Sequence, residues 1–493
     1  MPDEHCSSLR LLTCNKTHNF RVSGIITRIG AHNFRASGII TRNALITHNT
    51  EVAMSQTVSF ISLGCAKNQV DCEQMMYLMA QAGFEIRPEP EDVDLVIVNT
   101  CGFIDAAKSE AIDNILAVAQ KKAEGLVGKI LVTGCLAQRY QQEILTELPE
   151  VDGVLGTGSY YDVVSAARQV LAGKQVREFG SIHAPVEETG RVLTTPGWYS
   201  YLKIAEGCDN HCAFCVIPKL RGKYRSRKLE DVVAEAERLA QGGTKELIVV
   251  AQDTSRYGID LYGARKLPEL LRRLCRIDGI HWVRVHYTYP EEITDELIDV
   301  VANEPKIVKY LDVPIQHVND GILKRMNRRG DRAYLEELFS KLRSRIPGLV
   351  LRTSLIAGLP GEGEAEFEEL CGFLRRWKLE RVGAFAFSPE DGTPAAKMDY
   401  PDAEIAQRRA DYIAELQSDV LDAYNESRFD QSMEILVEDW DGTYYYGRSY
   451  ADSPGIDGTV RFESEAEHQP GEFVQVLILG AEDGELIGRE VTL

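Results

Sequence analysis

Tyr199-Ser200-Tyr201-Leu202-Lys203-Ile204-Ala205-Glu206-Gly207-Cys208-Asp209-Asn210-His211-Cys212-Ala213-Phe214-Cys215 reads as a β-rich run followed at once by three thiols, spaced by four and three residues. Thiolates are soft ligands suited to zinc or iron–sulfur groups. Three thiols in one loop can hold three corners of a cube-shaped [4Fe–4S] cluster and leave the fourth iron open. A structural zinc site would ask for a fourth protein ligand. Three unrelated buried thiols remain the plain alternative.

Downstream of this loop the pattern repeats. Strand-like runs at Tyr199–Ala205, Glu246–Ala251, Trp282–Tyr287, Ile307–Leu311, Val350–Ile356 and Arg381–Phe387 alternate with helical patterns at Leu229–Gln241, Leu267–Arg276, Asp295–Asn303, Ala333–Arg345 and Glu364–Arg376. Six strand–helix units fall short of the eight of a closed barrel, so a partial, open (βα)6 barrel is predicted. The cysteine loop follows its first strand, at the carboxyl edge where barrels place their chemistry.

Upstream, Val58–Leu63, Leu95–Thr100 and Ile130–Gly134 are near-continuous apolar strands separated by helical patterns at Gln69–Ala82 and Ile104–Ala123. That alternation predicts a parallel sheet covered on both faces. Cys65, Cys101 and Cys135 each stand just past the carboxyl end of one of these strands, the edge at which open α/β sheets bind ligands. Cys72, on the first helix, reads as packing. Asp152 to Gly180 adds one strand–helix–strand, and Ser181 to Thr195 is a polar linker. After an amphipathic helix from Ala403 to Phe429, five short runs from Glu434 to Val491, with Asp441-Gly442 and Asp483-Gly484 as hairpin turns, predict a small five-stranded β-barrel of the oligonucleotide-binding kind.

The chain has 493 residues, 11 cysteines and a net charge of −20. It has no apolar run of roughly eighteen residues and no secretory leader pattern. No membrane association is expected, the cytoplasm is the expected compartment, and the cysteines read as ligands or buried thiols rather than disulfides. The tail from Gln431 carries fourteen acidic and three basic residues, a poor surface for phosphates. His18–Arg28 recurs almost unchanged as His32–Arg42; two copies are too few for a solenoid, so residues 1–53 are expected to be a mis-assigned or disordered extension, with the true start at Met54. The expected units are therefore 54–196, 197–428 and 429–493.

Cys208-x-x-x-Cys212-x-x-Cys215 resembles the signature of the radical S-adenosylmethionine (SAM) enzymes, with Phe214 where they place an aromatic near the adenine. With Cys65, Cys101 and Cys135 before it and a TRAM-like β-barrel after it, the chain from Met54 is similar to the methylthiotransferases. This resemblance implies SAM and two [4Fe–4S] clusters, one on Cys208, Cys212 and Cys215 and an auxiliary one on Cys65, Cys101 and Cys135, each with an open iron. In that family the auxiliary cluster carries sulfur that a first SAM methylates, and the radical cluster cleaves a second SAM to remove hydrogen from an unactivated carbon. The cluster ligands are the only catalytic residues the resemblance supplies. It also implies cofactor contacts at Glu246, in a Gly243-Thr244-Lys245-Glu246 turn, at Gln252, and at Gly358 in a glycine-rich strand end.

One branch of the family modifies tRNA adenosines and another an aspartate of small-subunit ribosomal protein twelve. Ser62–Asn68, Asp312–His317 and Ser388–Pro394, with its acidic pair Glu390-Asp391, resemble the ribosomal-protein branch. The acidic tail agrees, since it suits a basic protein partner. The expected function is therefore methylthio transfer to the β-carbon of that aspartate, on free protein or on the ribosome, by a monomer served by a flavodoxin- or ferredoxin-type electron donor. The basic runs Lys219–Lys228 and Lys324–Arg329 leave the tRNA reading open. A non-catalytic iron–sulfur carrier is the third reading, although a carrier has no use for the barrel or Phe214.

Overall fold

The computed structural model describes residues 55–491; the duplicated segment, Cys6 and Cys14 lie outside them. The first six strands are β1 (Thr57–Ser62), β2 (Glu85–Arg87), β3 (Val93–Thr100), β4 (Val127–Gly134), β5 (Gly153–Leu155) and β6 (Val176–Glu178). They form one parallel sheet in the order β2-β1-β3-β4-β5-β6. Register decides what this sheet presents. Ser62 pairs with Asn99, Asn99 with Thr133 and Thr100 with Gly134, so β1, β3 and β4 end level with one another. The sheet's two faces pack separate apolar clusters, as a doubly covered parallel sheet requires. Cys72 is buried in one of them. The short edge strand β2 was not evident from sequence.

The first helix, Ala66–Gln81, begins three residues earlier than its apolar period suggested, directly after Cys65. Its buried positions include Lys67, Asn68, Asp71, Glu73 and Gln74 as well as Val70, Cys72, Met75 and Met79. One face serves the sheet; the polar face meets the second domain.

That domain holds β7 (Tyr199–Lys203), β10 (Glu246–Val250), β11 (Trp282–Val285), β12 (Ile307–Asp312), β13 (Val350–Ala357) and β14 (Arg381–Ala386), all parallel and paired in chain order. Its outermost strands β7 and β14 do not pair with each other, so the barrel is open, as expected. A two-residue ribbon, β8 (Ala205–Glu206) with β9 (Arg225–Ser226), braces the cysteine loop. The linker is strapped down rather than loose: Thr194 donates to Glu73 through its backbone N–H (2.9 Å) and hydroxyl (2.8 Å), and Arg191 donates to the Tyr201 carbonyl (2.7 Å).

The tail closes into a barrel, β15 (Ser432–Trp440), β16 (Tyr445–Arg448), β17 (Val460–Glu463), β19 (Glu485–Glu490) and β18 (Phe473–Glu482), around an apolar core. Both central residues of the Asp483-Gly484 turn have positive φ, the geometry that a tight hairpin needs. This small barrel covers the amino ends of the parallel strands: Leu436 and Ala451 pack with Trp282, Val308, Tyr310 and Val350, and Arg381 pairs with Asp452 at 2.7 Å. The N-terminal domain covers the opposite, carboxyl ends. Each open end of the partial barrel is thus capped by a different domain.

Candidate active site

The Cys208–Cys215 loop is held by backbone geometry. Gly207 has φ +80, and a side chain there would run into the Lys223 carbonyl. Cys208 N–H donates to Gly222 O (3.1 Å), Ala213 N–H to Met326 O (2.9 Å), and Ala213 O accepts from Ala395 N–H (2.9 Å). The sulfurs face donors: Cys208 Sγ accepts from Asn210 N–H (3.5 Å), Cys215 Sγ from Ile217 N–H (3.4 Å), and Cys212 Sγ has Arg328 and the Tyr289 hydroxyl each at 3.8 Å. Burial pushes the Cys208 thiol up to about 11 and Cys215 further, so a bound cation is what would draw out their thiolates. Phe214 is half-buried against the cluster of Ala213, Ile322, Met326 and Leu359.

Cys65, Cys101 and Cys135 are gathered by the level ends of β1, β3 and β4. Asn68, fully buried on the helix after Cys65, ties these ends together: its Nδ2 donates to Leu63 O (3.1 Å) and Thr100 O (2.9 Å), and its own carbonyl accepts from Asn99 Nδ2 (2.7 Å). The approach is tight: a Cβ at Gly64, where φ is +92, would stand 2.7 Å from Cys101 Cβ. The three thiols feel one another's charge. Their environments differ. Burial pushes Cys135 up to about 12 and raises Cys101, whereas at Cys65 the effect of burial is outweighed by Lys67, the Asn68 amide and Arg221, leaving that thiol below its ordinary value. Although densely surrounded by protein, Cys65 is also the one of the three with the most solvent access.

Between the two sets lies a buried polar seam. Arg221 donates through Nε to Cys135 Sγ (3.3 Å), and through its other nitrogens to Asp71, Asn68 and Glu206. Lys203, at the end of β7, bonds Asp71 and Glu206. Burial would push the Glu206 carboxyl up, but Lys203 and Arg221 hold it at about 2. Removing one member of such a buried charge set costs about 3–5 kcal/mol. Glu206 opens the Cys208 loop and Arg221 touches Cys135, so one network positions both thiol sets. A second lock joins Glu390 to Lys108 (3.0 Å) and Arg139 (2.5 Å) of the N-terminal domain. Glu390, read from sequence as a mark of the ribosomal-protein branch, is here a domain clasp.

Among the described residues, no three His, Cys, Asp or Glu side chains are arranged to hold a single metal ion. The donors in both sets are thiols alone, and within each set the thiols feel one another's charge, which fits an iron–sulfur group. Beside the Cys208 loop, Gln252 Oε1, Glu291 Oε2 and Arg328 Nε are buried without a hydrogen-bond partner among the described residues, which fits a polar cofactor such as SAM.

Of the remaining sequence-predicted contacts, Gln252 is placed well: its Nε2 donates to Glu206 Oε1 (2.6 Å). Gly358 adjoins Leu359 beneath Phe214, but its lack of a side chain is explained by Ala406, which a Cβ would strike, and its N–H is taken by Glu362 (2.9 Å). Glu246 requires correction. It pairs with Tyr199 at the amino end of β10, about 13 Å of strand away from the carboxyl edge, and its carboxylate is bound by Arg284 (2.7 Å) and by Arg448 of the tail barrel (2.7 Å). It fastens two domains and faces no cofactor. The basic runs divide. Arg221, Arg227 and Arg328 are buried; Arg227 pairs with Glu235 and Glu188, and Arg328 lies over the Tyr289 ring (4.1 Å), so these three arginines serve the interior while Lys219, Lys223, Lys228, Lys324, Arg325 and Arg329 stay exposed. Sequence reasoning missed Asn68, Arg221, Arg328 and Tyr289. A polar stripe at helical spacing after Cys65 was the available signal.

Three family models match the chain: an uncharacterized protein family designated UPF0004 over residues 57–156, the radical SAM superfamily over 202–374 and the TRAM domain over 431–491. Among curated relatives, a protein of Lachnoclostridium phytofermentans named ribosomal protein uS12 methylthiotransferase RimO is 48% identical over 436 residues, covering 87% of this chain and 99% of the relative. Proteins of the same name from Caldanaerobacter subterraneus subsp. tengcongensis and Acetivibrio thermocellus are 45% and 46% identical, covering 88% and 89% of this chain and 100% and 99% of themselves. Among solved structures, the radical SAM methyltransferase TsrM of Kitasatospora setae, with cobalamin and a [4Fe–4S] cluster bound, superposes with a TM-score of 0.52 at 17% identity, over 69% of this chain and 77% of its own; that likeness speaks for the fold alone.

Proposed function

Since this chain belongs to the family of ribosomal protein uS12 methylthiotransferases named RimO, we propose that it places a methylthio group on the β-carbon of an aspartate of uS12, in the cytoplasm, with uS12 free or on the ribosome. It is a radical SAM methylthiotransferase, an enzyme that uses SAM and a [4Fe–4S] cluster. When bound, the iron–sulfur groups and SAM supply the radical and sulfur chemistry that no side chain can perform.

The chain's own residues have three tasks in this reading. Cys208, Cys212 and Cys215 hold one cluster and Cys65, Cys101 and Cys135 a second. Gln252, with its unsatisfied carbonyl, and Phe214, on its apolar shelf, orient SAM at the first. Arg221, Asp71, Lys203 and Glu206 fix the distance between the two sets, and the capping domains exclude water from the space between. The units are 54–196, 197–428 and 429–493, the protein acts as a monomer, and a small flavodoxin- or ferredoxin-type protein delivers the electron. Among the described residues no helix is long and apolar enough to cross a membrane.

The observation that carries this reading is the convergence of two separate sets of three thiols on one buried seam. The acidic tail barrel, and the use of Arg221, Arg227 and Arg328 inside the fold, weigh against a tRNA substrate. Anaerobic incubation of the reconstituted enzyme with SAM, reductant and either uS12 or tRNA tests it. Mass spectrometry is expected to find the methylthio group on uS12; its appearance on tRNA alone would overturn the assignment.

A further inference from the structure

The buried cations of this molecule are, with few exceptions, paired. Lys108, Lys203, Arg221, Arg227, Arg284 and Arg448 each have a carboxylate within ion-pairing distance. Lys67 is different. It is 7% exposed, yet among the described residues its ammonium has no carboxylate within 4 Å. Its close contact is the face of Tyr287, whose ring centroid is 3.4 Å from Nζ. The ring face is attractive to a cation but supplies no counter-charge. The nearby Asp312 carboxylate is already engaged, by Arg352 (2.9 Å) and the Tyr287 N–H (3.1 Å).

Lys67 bears on the Cys65 thiol through its charge, but it makes no hydrogen bond to a sulfur. Two other cations do touch sulfur: Arg221 at 3.3 Å from Cys135 and Arg328 at 3.8 Å from Cys212. Lys67 instead crosses from the helix after Cys65 to the carboxyl mouth of the partial barrel. The platform beneath it is held in an uncommon conformation. Tyr287 has φ +59, and Gln316, past the end of the next strand, has φ +69. An aromatic residue in the left-handed region persists only where its surroundings impose it, and such positions concentrate at ligand sites. Here Asp312 accepts from the Tyr287 N–H, and the Tyr287 carbonyl accepts from the Thr254 N–H (3.0 Å).

A buried ammonium with no carboxylate partner, set on a constrained aromatic platform at the meeting of the two thiol domains, is suited to receive an anion. We propose that Lys67, seated on Tyr287, is the anchor for the side-chain carboxylate of the substrate aspartate, and so the residue that selects a carboxylate-bearing substrate and fixes its β-carbon. This inference rests on the uS12 reading. The β-carbon is bonded directly to the carboxylate carbon, so fixing the carboxylate restricts the reacting carbon to a small arc. A tRNA adenosine offers no carboxylate for such an anchor.

The test uses the reconstituted holoenzyme and two labelled peptides spanning the uS12 site, one with the aspartate and one with asparagine in its place. Binding is read by fluorescence anisotropy, and iron content is measured on the same samples. The wild-type enzyme is expected to bind the aspartate peptide at least tenfold more tightly. K67Q is expected to bring that ratio close to one with iron unchanged, and K67R to retain a preference. Equal binding of both peptides by a wild-type enzyme that still methylthiolates uS12 would overturn the anchor while leaving the function intact, with no variant needed. K67Q that loses iron but keeps the tenfold ratio would also overturn it, since Lys67 would then serve the thiols. An enzyme that binds neither peptide and modifies only tRNA would overturn the uS12 reading and the anchor with it.

Discussion

Cys208, Cys212 and Cys215 lie within eight residues and are shaped by one loop, whereas Cys65, Cys101 and Cys135 are drawn from three strand ends that sheet register holds level. The first set depends on local backbone geometry: the left-handed Gly207 and the hydrogen bonds of Ala213 to Met326 and Ala395. The second depends on a whole domain, with Asn68 pinning the strand ends together. A set built locally tolerates change elsewhere. One built from a sheet inherits every shift of that sheet, and the Arg221 network passes such shifts from one set to the other. The two are thus separable in chemistry but coupled in position.

The largest effect is expected where the local set is broken. Cys212→Ala should lower 5′-deoxyadenosine formation by at least about 10³-fold, the scale on which removal of an essential reacting element is felt. Robust formation would refute the ligand assignment. Next is the far end of the barrel. Glu246→Gln leaves Arg284 and Arg448 buried without their counter-charge and should cost about 3–5 kcal/mol of stability, with 5′-deoxyadenosine formation retained. A sharp rise in KM for SAM without loss of stability would restore Glu246 to the cofactor site. The pH dependence has a definite sign. Burial would raise the Glu246 carboxyl, but Arg448 and Arg284 hold it below its ordinary 4.5. Its contribution is full above pH 4.5 and is lost as pH falls below that, so the wild type should lose its advantage over the variant in acid.

A smaller effect separates the two building methods. Gly64→Ala forces a side chain onto Cys101 at a left-handed position, at about 1–3 kcal/mol, and should reduce iron bound by the sheet-built set while 5′-deoxyadenosine formation continues. Equal damage to both sets would mean that they are not independent. The smallest effect is a rate order. In the metal-free protein Cys65 is exposed and its thiol is lowered, while Cys135 is buried and pushed up to about 12. Iodoacetamide at neutral pH should therefore label Cys65 first, by peptide mass spectrometry; faster labelling of Cys135 would contradict the described environments.

What could be read from sequence follows the same division. The Cys208 loop was legible because its spacing is local, and the strand-end cysteines because each follows its own apolar run. The seam was not, because Arg221 meets Asp71 and Asn68 across 150 and 153 residues of chain. For the same reason the burial of Arg221 and Arg227 within Lys219–Lys228 was hidden, their counter-charges Asp71, Glu188 and Glu235 being supplied from elsewhere in the fold. Glu246 was misplaced because a turn resemblance says nothing of which end of a strand faces the site. Arg448, which holds it, is 202 residues away.

The central claim is that two thiol sets divide one reaction. Replacing Cys65, Cys101 and Cys135 together by alanine, reconstituting anaerobically and measuring iron, 5′-deoxyadenosine and methylthiolated uS12 on one sample tests it most directly. The account predicts about four irons per chain where the wild type holds about eight, continued 5′-deoxyadenosine formation, and no methylthiolated product. Methylthiolated uS12 from that variant would contradict it.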